Sequence, residues 1–375
     1  MTESYRKIGE LISVIDNRNI NGDISKLIGI SIDKCYIPSV ANVIGTDLRN
    51  YKVIRKGEFA CSLMQVSRDQ RIPLAMYPYD DPAIMSPAYV MFEVNNPNTI
   101  LPEYMELWFM RAEFDREASF YAVGGVRGSL DWEDFCNMKL PVPPISEQRK
   151  IVHDYQVITD RIELLRKMNE NLEKQAELRF SNLMDSSNGA EGFFSDVIKI
   201  MGGGTPSTTV NGYWNGRIPF FTPGDIDGVF CFSTDKTLTD EGLANCSSKE
   251  YPVKTTFITC RGTVGKVAMA GVPMAMNQTC YALTGKGNYP DYFVYEFVKY
   301  FVNSIKRKAN GGVFDAITTK DFETEKVNIP TIEQALALEK SIAPAFTVIF
   351  DNQREMVTLE CVRALMMTAI TQRGA

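Results

Sequence analysis

The feature that most constrains this chain is an internal repeat that covers nearly all of it. Three short matches recur at an offset of 186 or 187 residues: Gly124-Gly125-Val126 with Gly311-Gly312-Val313, Asp134-Phe135 with Asp321-Phe322, and Glu147-Gln148 with Glu333-Gln334. The chain has 375 residues, about twice this offset, so two copies account for almost its whole length. The pattern indicates a tandem duplication and not a solenoid of many short repeats.

Each copy begins with about 140 residues of short, strand-like runs separated by turn residues, such as "YKVIRKGEFACSLM" and "TTFITCRGTVGKVAMA". A helix-prone piece follows, "LPEYMELWFMRAEFDREA" in the first copy and "PDYFVYEFVKYFVNSIKRKA" in the second. Apolar residues recur in both pieces at helical spacing, and a proline stands at or near each start. Each copy therefore predicts a mixed α/β globule.

The second part of each copy predicts a long helix with a heptad seam. The seam of the first helix comprises positions 151, 155, 158, 162, 165, 169, 172 and 176. The seam of the second comprises positions 338, 342, 345, 349, 352, 356, 359, 363, 366 and 370. Either helix could pack on its own domain, but two helices with the same rhythm in one chain favour pairing with each other.

Local details refine these two helices. Asn169 and Asn352 both fall on the seams, where a buried polar residue can fix the register of two helices. Thr331 and Gln334 predict a capping box at the start of the second helix. Pro344 predicts a kink, or a start later than this cap, because proline in a helix interior costs about 3 kcal/mol.

The predicted fold class is α+β: two duplicated mixed α/β domains joined by two long antiparallel coiled-coil helices, with pseudo-two-fold symmetry. The predicted boundaries are 1–145 for the first domain, 146–184 for the first helix, 185–192 for a linker, 193–329 for the second domain and 330–375 for the second helix. If the helices pair, we expect the domains at opposite ends of a rod. A helix of about 38 residues is roughly 57 Å long.

Composition limits the partners and the compartment. The net charge of −6 weighs against a non-specific nucleic-acid binder unless the basic residues are grouped on one face. The eight cysteines include no C-x-x-C pair, which suits a reducing cytoplasm. No apolar run approaches the roughly 18 residues that span a bilayer, and the N-terminus lacks a signal-peptide core. We expect a cytoplasmic protein with no membrane partner.

The motifs of common catalytic sites are missing. The single histidine, His153, excludes a two-histidine metal site and makes a hydrolytic triad improbable. "GGGTPS" (202–207) and "GTVGK" (262–266) do not fit the phosphate-binding G-x-x-x-x-G-K-[ST] pattern. Both glycine runs instead predict tight turns with positive φ at the edge of a sheet. We therefore expect no catalytic residues, no metal and no cofactor on this chain.

Longer motifs resemble a known family. The second half resembles that of a type I restriction–modification specificity subunit in "GGGTPSTTVNGYWNGRIPFFTPGDI" (202–226), "RGTVGKVAMA" (261–270) with "MNQTCYAL" (276–283), and "DFETEKVNIPTIEQ" (321–334). The first half is similar to a common version of its first half in "IPSVANVIGTDLRNYKVIRKGEFACSLMQVSRD" (37–69), "SPAYVMFEV" (86–94) and "VRGSLDWEDFCNMKLPVPPISEQRKIV" (126–152). The resemblance covers essentially the whole chain.

The resemblance implies a DNA-reading scaffold without catalysis of its own. Two target-recognition domains would each read half of a bipartite DNA sequence, and the two helices would set the spacer between the half-sites. Two methyltransferase (modification) subunits would dock along the helices, and restriction subunits with endonuclease and translocase activity would join them. S-adenosylmethionine, ATP and magnesium would belong to those partners. The chain has no D/NPPY/F tetrapeptide and no Walker motif, which agrees with this division.

DNA contact requires Lys or Arg for phosphates and Arg, Asn, Gln or Thr for base edges. In the first domain the candidates are Arg49, Lys52, Arg55, Lys56, Arg68, Arg71 and, between glycines that allow close approach to a phosphate, Arg127. In the second domain they are Thr205, Ser207, Arg261, Lys266, Gln278, Lys306, Arg307 and Lys308. Each could also be an ordinary solvated side chain.

Two other functions compete with DNA recognition. The low isoelectric point keeps open a protein–protein scaffold whose two diverged domains no longer bind DNA. A stand-alone enzyme with an unrecognised site is disfavoured by the missing motifs. The recognised bases and the spacer length cannot be derived from the sequence.

Overall fold

The computed structural model describes residues 5–39, 45–124, 128–186, 189–308 and 316–372. It divides into two compact units, one of residues 1–160 with 361–375 and one of residues 161–360. The glycine motifs at 124–126 and 311–313 lie largely or wholly outside the described residues. Each unit is described in turn.

The first unit opens with short strands and ends in a long helix. Its elements are β1 (Tyr5–Lys7), β2 (Ile12–Ile15), β3 (Ile28–Ile30), β4 (Tyr36–Pro38), β5 (Lys52–Ile54), β6 (Phe59–Cys61), α1 (Val66–Asp69), β7 (Leu74–Met76), β8 (Ala83–Met85), β9 (Val90–Val94), α2 (Pro102–Phe109), α3 (Ala112–Tyr121), α4 (Trp132–Asn137), β10 (Lys139–Pro141) and α5 (Ile145–Ser186), which continues into the second unit.

The central sheet of the first unit has the strand order β2-β9-β6-β7, and every pair in it is antiparallel. Smaller two-stranded sheets are formed by β1 with β10, β3 with β4, and β5 with β8. Buried aromatic rings fill one face: Phe59 stacks on Phe92 with centroids 5.2 Å apart, and Phe109 meets Phe59 edge-on. Burying such rings stabilises a sheet whose strands are only three to five residues long.

The second unit repeats this arrangement with additions. Its elements are β11 (Ala190–Phe193), α6 (Phe194–Val197), β12 (Ile198–Gly202), β13 (Trp214–Phe221), β14 (Phe230–Cys231), β15 (Thr237–Leu238), α7 (Asp240–Ala244), β16 (Thr256–Thr259), β17 (Val267–Ala270), β18 (Ala275–Met276), β19 (Cys280–Gly285), α8 (Asp291–Lys308), α9 (Thr319–Thr324), β20 (Lys326–Ile329) and α10 (Ile332–Gln372), whose last residues belong to the first unit.

The sheet topology confirms the duplication. The second central sheet has the order β12-β19-β16-β17-β14, and its first four strands reproduce β2-β9-β6-β7 with the same antiparallel pairing. The pairing of β11 with β20 likewise repeats that of β1 with β10. The additional strand β14 joins β17 in parallel. The predicted pair of mixed α/β domains is therefore present.

The two helix-prone pieces differ from each other. In the second unit the piece is one helix, α8, as expected. In the first unit it splits into α2 and α3 because Arg111 has extended backbone angles, φ −73° and ψ 141°. The guanidinium of Arg111 is buried and lies 3.7 Å from the ring centre of Trp108. This cation–π contact accompanies the break.

The long helices α5 and α10 run antiparallel. Within the second unit, Arg161 bonds Glu355, and Arg179, further along α5, bonds the carbonyl of Ser341, which lies earlier in α10. Within the first unit, Ile151 of α5 and Ile370 of α10 belong to one apolar cluster. Rising numbers in one helix meet falling numbers in the other, so the predicted pairing of the helices is confirmed.

The predicted heptad seams are the buried sides of these helices. None of the predicted seam positions is exposed, and Ile162, Leu165, Ala176, Ile342 and Ile349 are fully buried. The helix α10 begins directly after the predicted cap and continues through Pro344. The expectation of a later start was therefore wrong, because the seam residues on both sides of the proline are held by packing.

The two Glu-Gln junctions begin their helices in different ways. Gln148 is completely buried, accepts a hydrogen bond from the Leu101 N–H at 2.9 Å, and donates to the carbonyls of Thr99 and Pro143. Gln334 instead forms the predicted capping box with Thr331, at 2.9 and 3.2 Å. The same dipeptide thus anchors one helix in a core and caps the other.

The stretch between the copies is shorter than the predicted linker. The helix α5 continues to Ser186, and β11 already begins at Ala190. Pairing with β20 satisfies the backbone of β11, which accounts for its strand conformation in a polar sequence. In the described parts of the chain no helix is both long enough and apolar enough to cross a membrane.

Candidate nucleic-acid interface

The loop between β16 and β17 (residues 260–266) forms one end of the second central sheet. Gly262 and Gly265 have φ of 75° and 78°, so the predicted positive-φ turn is confirmed here. A β-carbon on Gly265 would lie 2.9 Å from Cγ1 of Val302 and 3.3 Å from Cε of Lys306. Glycine at this position therefore lets the end of α8 lie directly on the loop.

This contact places Lys306 beside the loop that carries Arg261 and Lys266, and Arg307 follows Lys306 near the end of α8. We call these four predicted cations the basic edge: Arg261, Lys266, Lys306 and Arg307. All four are exposed, and within the described residues none forms an ion pair with a carboxylate. Arg307 only donates to the carbonyl of Asn303 at 3.2 Å. The side chain of Lys308 lies outside the described residues, although its backbone ends α8.

Polar side chains flank the basic edge. The N–H of Cys260 donates to the carbonyl of Thr279 at 2.8 Å, which places Arg261 and Gln278 at the same end of the sheet. Gln278 is exposed and accepts a hydrogen bond from the hydroxyl of Thr205. The loop cations Arg261 and Lys266, Lys306 of α8, and the polar residues Thr205 and Gln278 therefore lie at one end of the sheet, a combination suited to phosphates and base edges.

The glycines of "GGGTPS" act differently from the prediction. Neither Gly203 nor Gly204 has a positive φ, so that part of the prediction was wrong. A β-carbon on Gly203 would lie 2.1 Å from the carbonyl oxygen of Asn277, and one on Gly204 would lie 2.2 Å from Oγ of Ser247. These glycines are required for close backbone approach beside Gln278.

Ser207 stabilises the same loop through hydrogen bonds. Its hydroxyl lies 2.8 Å from that of Thr209, and its carbonyl accepts a hydrogen bond from the indole of Trp214 at 3.1 Å. These bonds fix the loop, and the exposed hydroxyl still faces solvent. DNA contact by Ser207 stays a prediction.

The corresponding end of the first central sheet is the connection between β6 and β7, residues 62–73. A β-carbon on Gly128 would lie 3.2 Å from Cβ of Ser67 and 3.6 Å from the backbone nitrogen of Arg68. Gly128, which ends the glycine motif of the first copy, therefore lies beside Arg68. Arg127, the strongest single candidate from the sequence, lies outside the described residues.

Predicted cations of the first unit mostly carry a partner. Four exposed ion pairs hold them: Arg49–Asp47 at 3.0 Å, Lys56–Asp80 at 2.7 Å, Arg68–Asp69 at 2.7 Å and Arg71–Asp33 at 2.7 Å. The hydrogen bond from Arg49 lowers the pKa of Asp47. Exposed pairs of this kind contribute about 0–1 kcal/mol, so a phosphate can displace the carboxylate at small cost.

The remaining first-domain candidates lie elsewhere. Lys52, in β5, is only 12% exposed; it donates to the carbonyl of Tyr89 at 2.8 Å and lies 3.5 Å from Asp16. Arg55 is exposed just after the same strand. These two belong to the β5–β8 sheet, whereas Arg68 and Arg71 follow the central sheet. The densest basic stretch of the sequence is therefore split between two sheets.

A buried glutamine of α10 fixes the loop before β14 in the second unit. The carbonyl of Gln353 accepts from the N–H of Phe230 at 2.8 Å, and its amide donates to the carbonyls of Asp227 and Phe230. Gly228, with φ of 108°, leaves room for that amide. This part of the second unit is thus attached to α10 by hydrogen bonds between the Gln353 side chain and the backbone.

A carboxylate cluster joins α8 to α5. Glu296 is 1% exposed, and neither of its carboxylate oxygens has a hydrogen-bond partner among the described residues. Burial raises its pKa to about 8 against the opposing effect of Lys299, and Glu173 and Glu177 raise it further. Although burial alone would lower the pKa of Lys299, the surrounding carboxylates, Glu296 first, raise it. The cluster holds one lysine among three acids.

The sequence patterns did not single out Gln353 or Glu296. A glutamate inside the apolar run "FVYEFV" was the available signal for a buried charge. Gln353 follows the seam residue Asn352 and therefore lies off the seam. This position was the available signal that it contacts a domain. Neither signal identifies the partner.

Other reactive groups show no arrangement for chemistry in the described residues. No group of three or more His, Cys, Asp or Glu there could hold a metal ion. Burial raises the pKa of Cys231 and of Cys280 to about 12, which keeps both thiols protonated. His153 is exposed on α5. The described surface instead offers contacts for a charged partner.

Fold and site together define a class: a duplicated two-unit α/β protein with paired long helices and a cationic sheet end. The profile of the type I restriction modification DNA specificity domain matches residues 74–174 and 190–356. These matches cover more than half of the chain. The chain therefore belongs to the family of type I restriction–modification DNA specificity domain proteins.

Curated relatives agree with this membership. The chain is 26% identical over 165 residues to the type I restriction enzyme MjaIX specificity subunit of Methanocaldococcus jannaschii, 43% of this chain and 38% of that protein. It is 23% identical over 298 residues to the putative MjaX specificity subunit of the same organism, 73% of this chain and 68% of that protein. The first match thus spans well under half of the relative's length.

A solved structure has the same fold. The type I restriction–modification system S subunit from M. genitalium superposes with a TM-score of 0.60 over 99% of both chains, at 12% identity. At this identity the similarity shows the fold alone. The duplicated domains with two long helices are therefore an arrangement seen by crystallography in that protein.

Proposed function

We propose that this chain is the DNA sequence-specificity subunit of a type I restriction–modification complex. Each recognition domain reads one half of a bipartite target in double-stranded DNA. The observation that carries the proposal is the basic edge, four cations without carboxylate partners in the described residues of a chain whose net charge is −6. In an acidic protein, cations left unneutralised at one sheet end are suited to phosphates.

The chain has a directing role and no catalysis of its own. Two modification subunits methylate DNA, and restriction subunits cleave it, at sites that this chain selects. S-adenosylmethionine, ATP and magnesium are supplied on those subunits. Such a complex acts on DNA in the cytoplasm. Family membership supports these roles, and the paired helices offer a long surface for the partners.

The test is the methylation pattern of the host genome. A bipartite methylated motif should be present with the chain and should vanish when its coding sequence is deleted, with the partner subunits retained. Unchanged methylation after deletion would refute the proposal and support a protein–protein scaffold.

A domain exchange tests whether each domain reads its own half of the motif. Replacing residues 193–329 by the equivalent domain of a relative should alter one half of the motif and leave the other half and the spacer unchanged. Changes in both halves would contradict modular reading. Adding four residues to the first helix should widen the spacer and preserve both half-sites.

A further inference from the structure

Three large apolar side chains project into solvent at the end of α3. Phe120 and Val123 are each 75% exposed, and Tyr121 is 45% exposed. The rings of Phe120 and Tyr121 meet edge to face with centroids 5.8 Å apart. We call these three residues the aromatic edge. An apolar group that remains exposed on a well-packed domain indicates a surface for contact with a partner.

Buried neighbours hold the aromatic edge in place. Ala118 and Ala122, on either side of Phe120, are both 0% exposed. The helix α3 and the turn that follows it pack against α1, which carries Arg68. The exposed side chains therefore stand on a fixed part of the fold.

The duplication identifies the matching position in the second unit. The offset of 187 between the two Gly-Gly-Val motifs aligns Phe120 with Arg307 and Tyr121 with Lys308. The helix α3 ends at Tyr121 and α8 ends at Lys308, and each end lies beside the loop of its own central hairpin. One copy therefore has aromatic rings where the other has cations.

The surroundings favour DNA as the partner. Arg116, one turn before Phe120, and Arg68 on α1 are 70% and 64% exposed. Each is paired with a carboxylate of its own unit, Glu113 at 2.8 Å and Asp69 at 2.7 Å, whose side chains are 41% and 26% exposed. Cations around a small apolar centre fit a ligand with phosphates outside and bases inside.

We propose that the aromatic edge contacts the apolar surface of bases in the half-site read by the first domain. At the matching position the second domain contacts phosphates through Arg307. This inference rests on the proposed function. Thymine methyl groups in the major groove and base faces at an opened step both offer such a surface.

Binding of the complete methyltransferase complex to a duplex with the methylated motif tests the inference. Phe120→Ala should weaken binding roughly 10- to 100-fold, as single base–aromatic contacts do, and leave the salt dependence unchanged. Arg307→Ala should lower the slope of log K against log salt by about 0.9. Wild-type affinity of Phe120→Ala would overturn the inference. A wild-type complex without preference for the motif would instead refute the proposed function.

Two modified duplexes distinguish the sources of the apolar surface. Deoxyuridine for thymine in the first half-site removes the methyl groups and should weaken the wild type more than Phe120→Ala. If the contact is with an opened base step, the fluorescence of 2-aminopurine at that step should increase when the wild type binds and should not increase when Phe120→Ala binds. If the wild type and Phe120→Ala respond alike to both modifications, the inference is wrong.

Controls separate DNA contact from folding and from a protein partner. Phe120→Ala should keep the wild-type thermal midpoint, because the ring is exposed. Val14→Ala removes another exposed apolar side chain, 55% exposed on β2, and should bind DNA like the wild type. Loss of co-purifying modification subunits with Phe120→Ala would assign the aromatic edge to a protein partner and overturn the inference.

Discussion

The side-chain amide of Asn352 donates a hydrogen bond to the side-chain carbonyl of Asn169, with 2.8 Å between nitrogen and oxygen. Both residues are 8% exposed and lie on the apolar seam of the paired helices. The amide of Asn169 also lies 4.0 Å from the sulfur of Met356. A buried polar pair of this kind specifies one register, because any shift leaves both amides without a partner.

Breaking the pair on one side should destabilise the protein. Asn169→Leu leaves the Asn352 amide buried without a partner, at a cost of about 1–3 kcal/mol in the free energy of unfolding. Replacing both by leucine should recover most of that loss. Urea unfolding measures this, with the exposed Asn171→Leu on the same helix as control. Additive losses in the double variant would contradict the expected coupling.

The two junction glutamines should differ in importance. Gln148→Ala removes three hydrogen bonds and opens space in a core, which should cost about 2–4 kcal/mol. Gln334→Ala removes one half of an exposed cap and should cost about 1 kcal/mol or less. Thermal unfolding of the matched pair tests the difference. Equal losses of stability in the two variants would contradict the expected difference between the two glutamines.

The buried Glu296 should make stability depend on pH. Its folded-state pKa of about 8 lies above the unfolded value, so its contribution is complete at acidic pH and is lost as the pH rises through 8. Glu296→Gln should therefore stabilise the protein at pH 9 by on the order of a few kcal/mol, and much less at pH 5.

Thermal midpoints at these two pH values test the effect of Glu296→Gln, with the exposed Glu323→Gln as control. Glu173 and Glu177 on α5 and Tyr295 and Lys299 on α8 face the same carboxyl group. A stabilisation that is equal at both pH values would contradict titration of Glu296.

The basic edge should dominate the salt dependence of DNA binding. Arg261→Ala and Lys306→Ala should each weaken binding at every sequence and lower the slope of log K against log salt by about 0.9. Lys326→Ala removes another exposed cation, one that is paired with Glu191 at 2.8 Å, and should leave the slope unchanged. Fluorescence anisotropy at several salt concentrations measures the slope, and equal slopes in all variants would remove this surface from the interface.

Much of the fold could be predicted because it depends on local patterns. The seams follow from a spacing of three and four residues, and the capping box needs only Thr331 and Gln334. The duplication was visible in matches of two or three residues and is confirmed by strand order. Such features depend on neighbours in the sequence, so one chain is enough to find them.

The site was predictable only in part, because which cations lie together and which are paired depends on residues that are distant in the sequence. Composition located the cations, but only the packing of Gly265 against α8 shows that Lys306 joins Arg261. Spacing could not show that Lys52 is engaged by Tyr89 and Asp16. The split at Arg111 likewise accompanies a contact with Trp108 that helical propensity does not include.

The last residues of α10 belong to the unit that is made first. Ile370 is 5% exposed in an apolar cluster with residues such as Ile8 and Leu11. The second unit is a continuous stretch, residues 161–360, whereas the first needs residues 361–375 as well. During synthesis the first unit therefore stays incomplete until residues 361–375 have been made, and truncation of α10 before Ile370 removes part of its core.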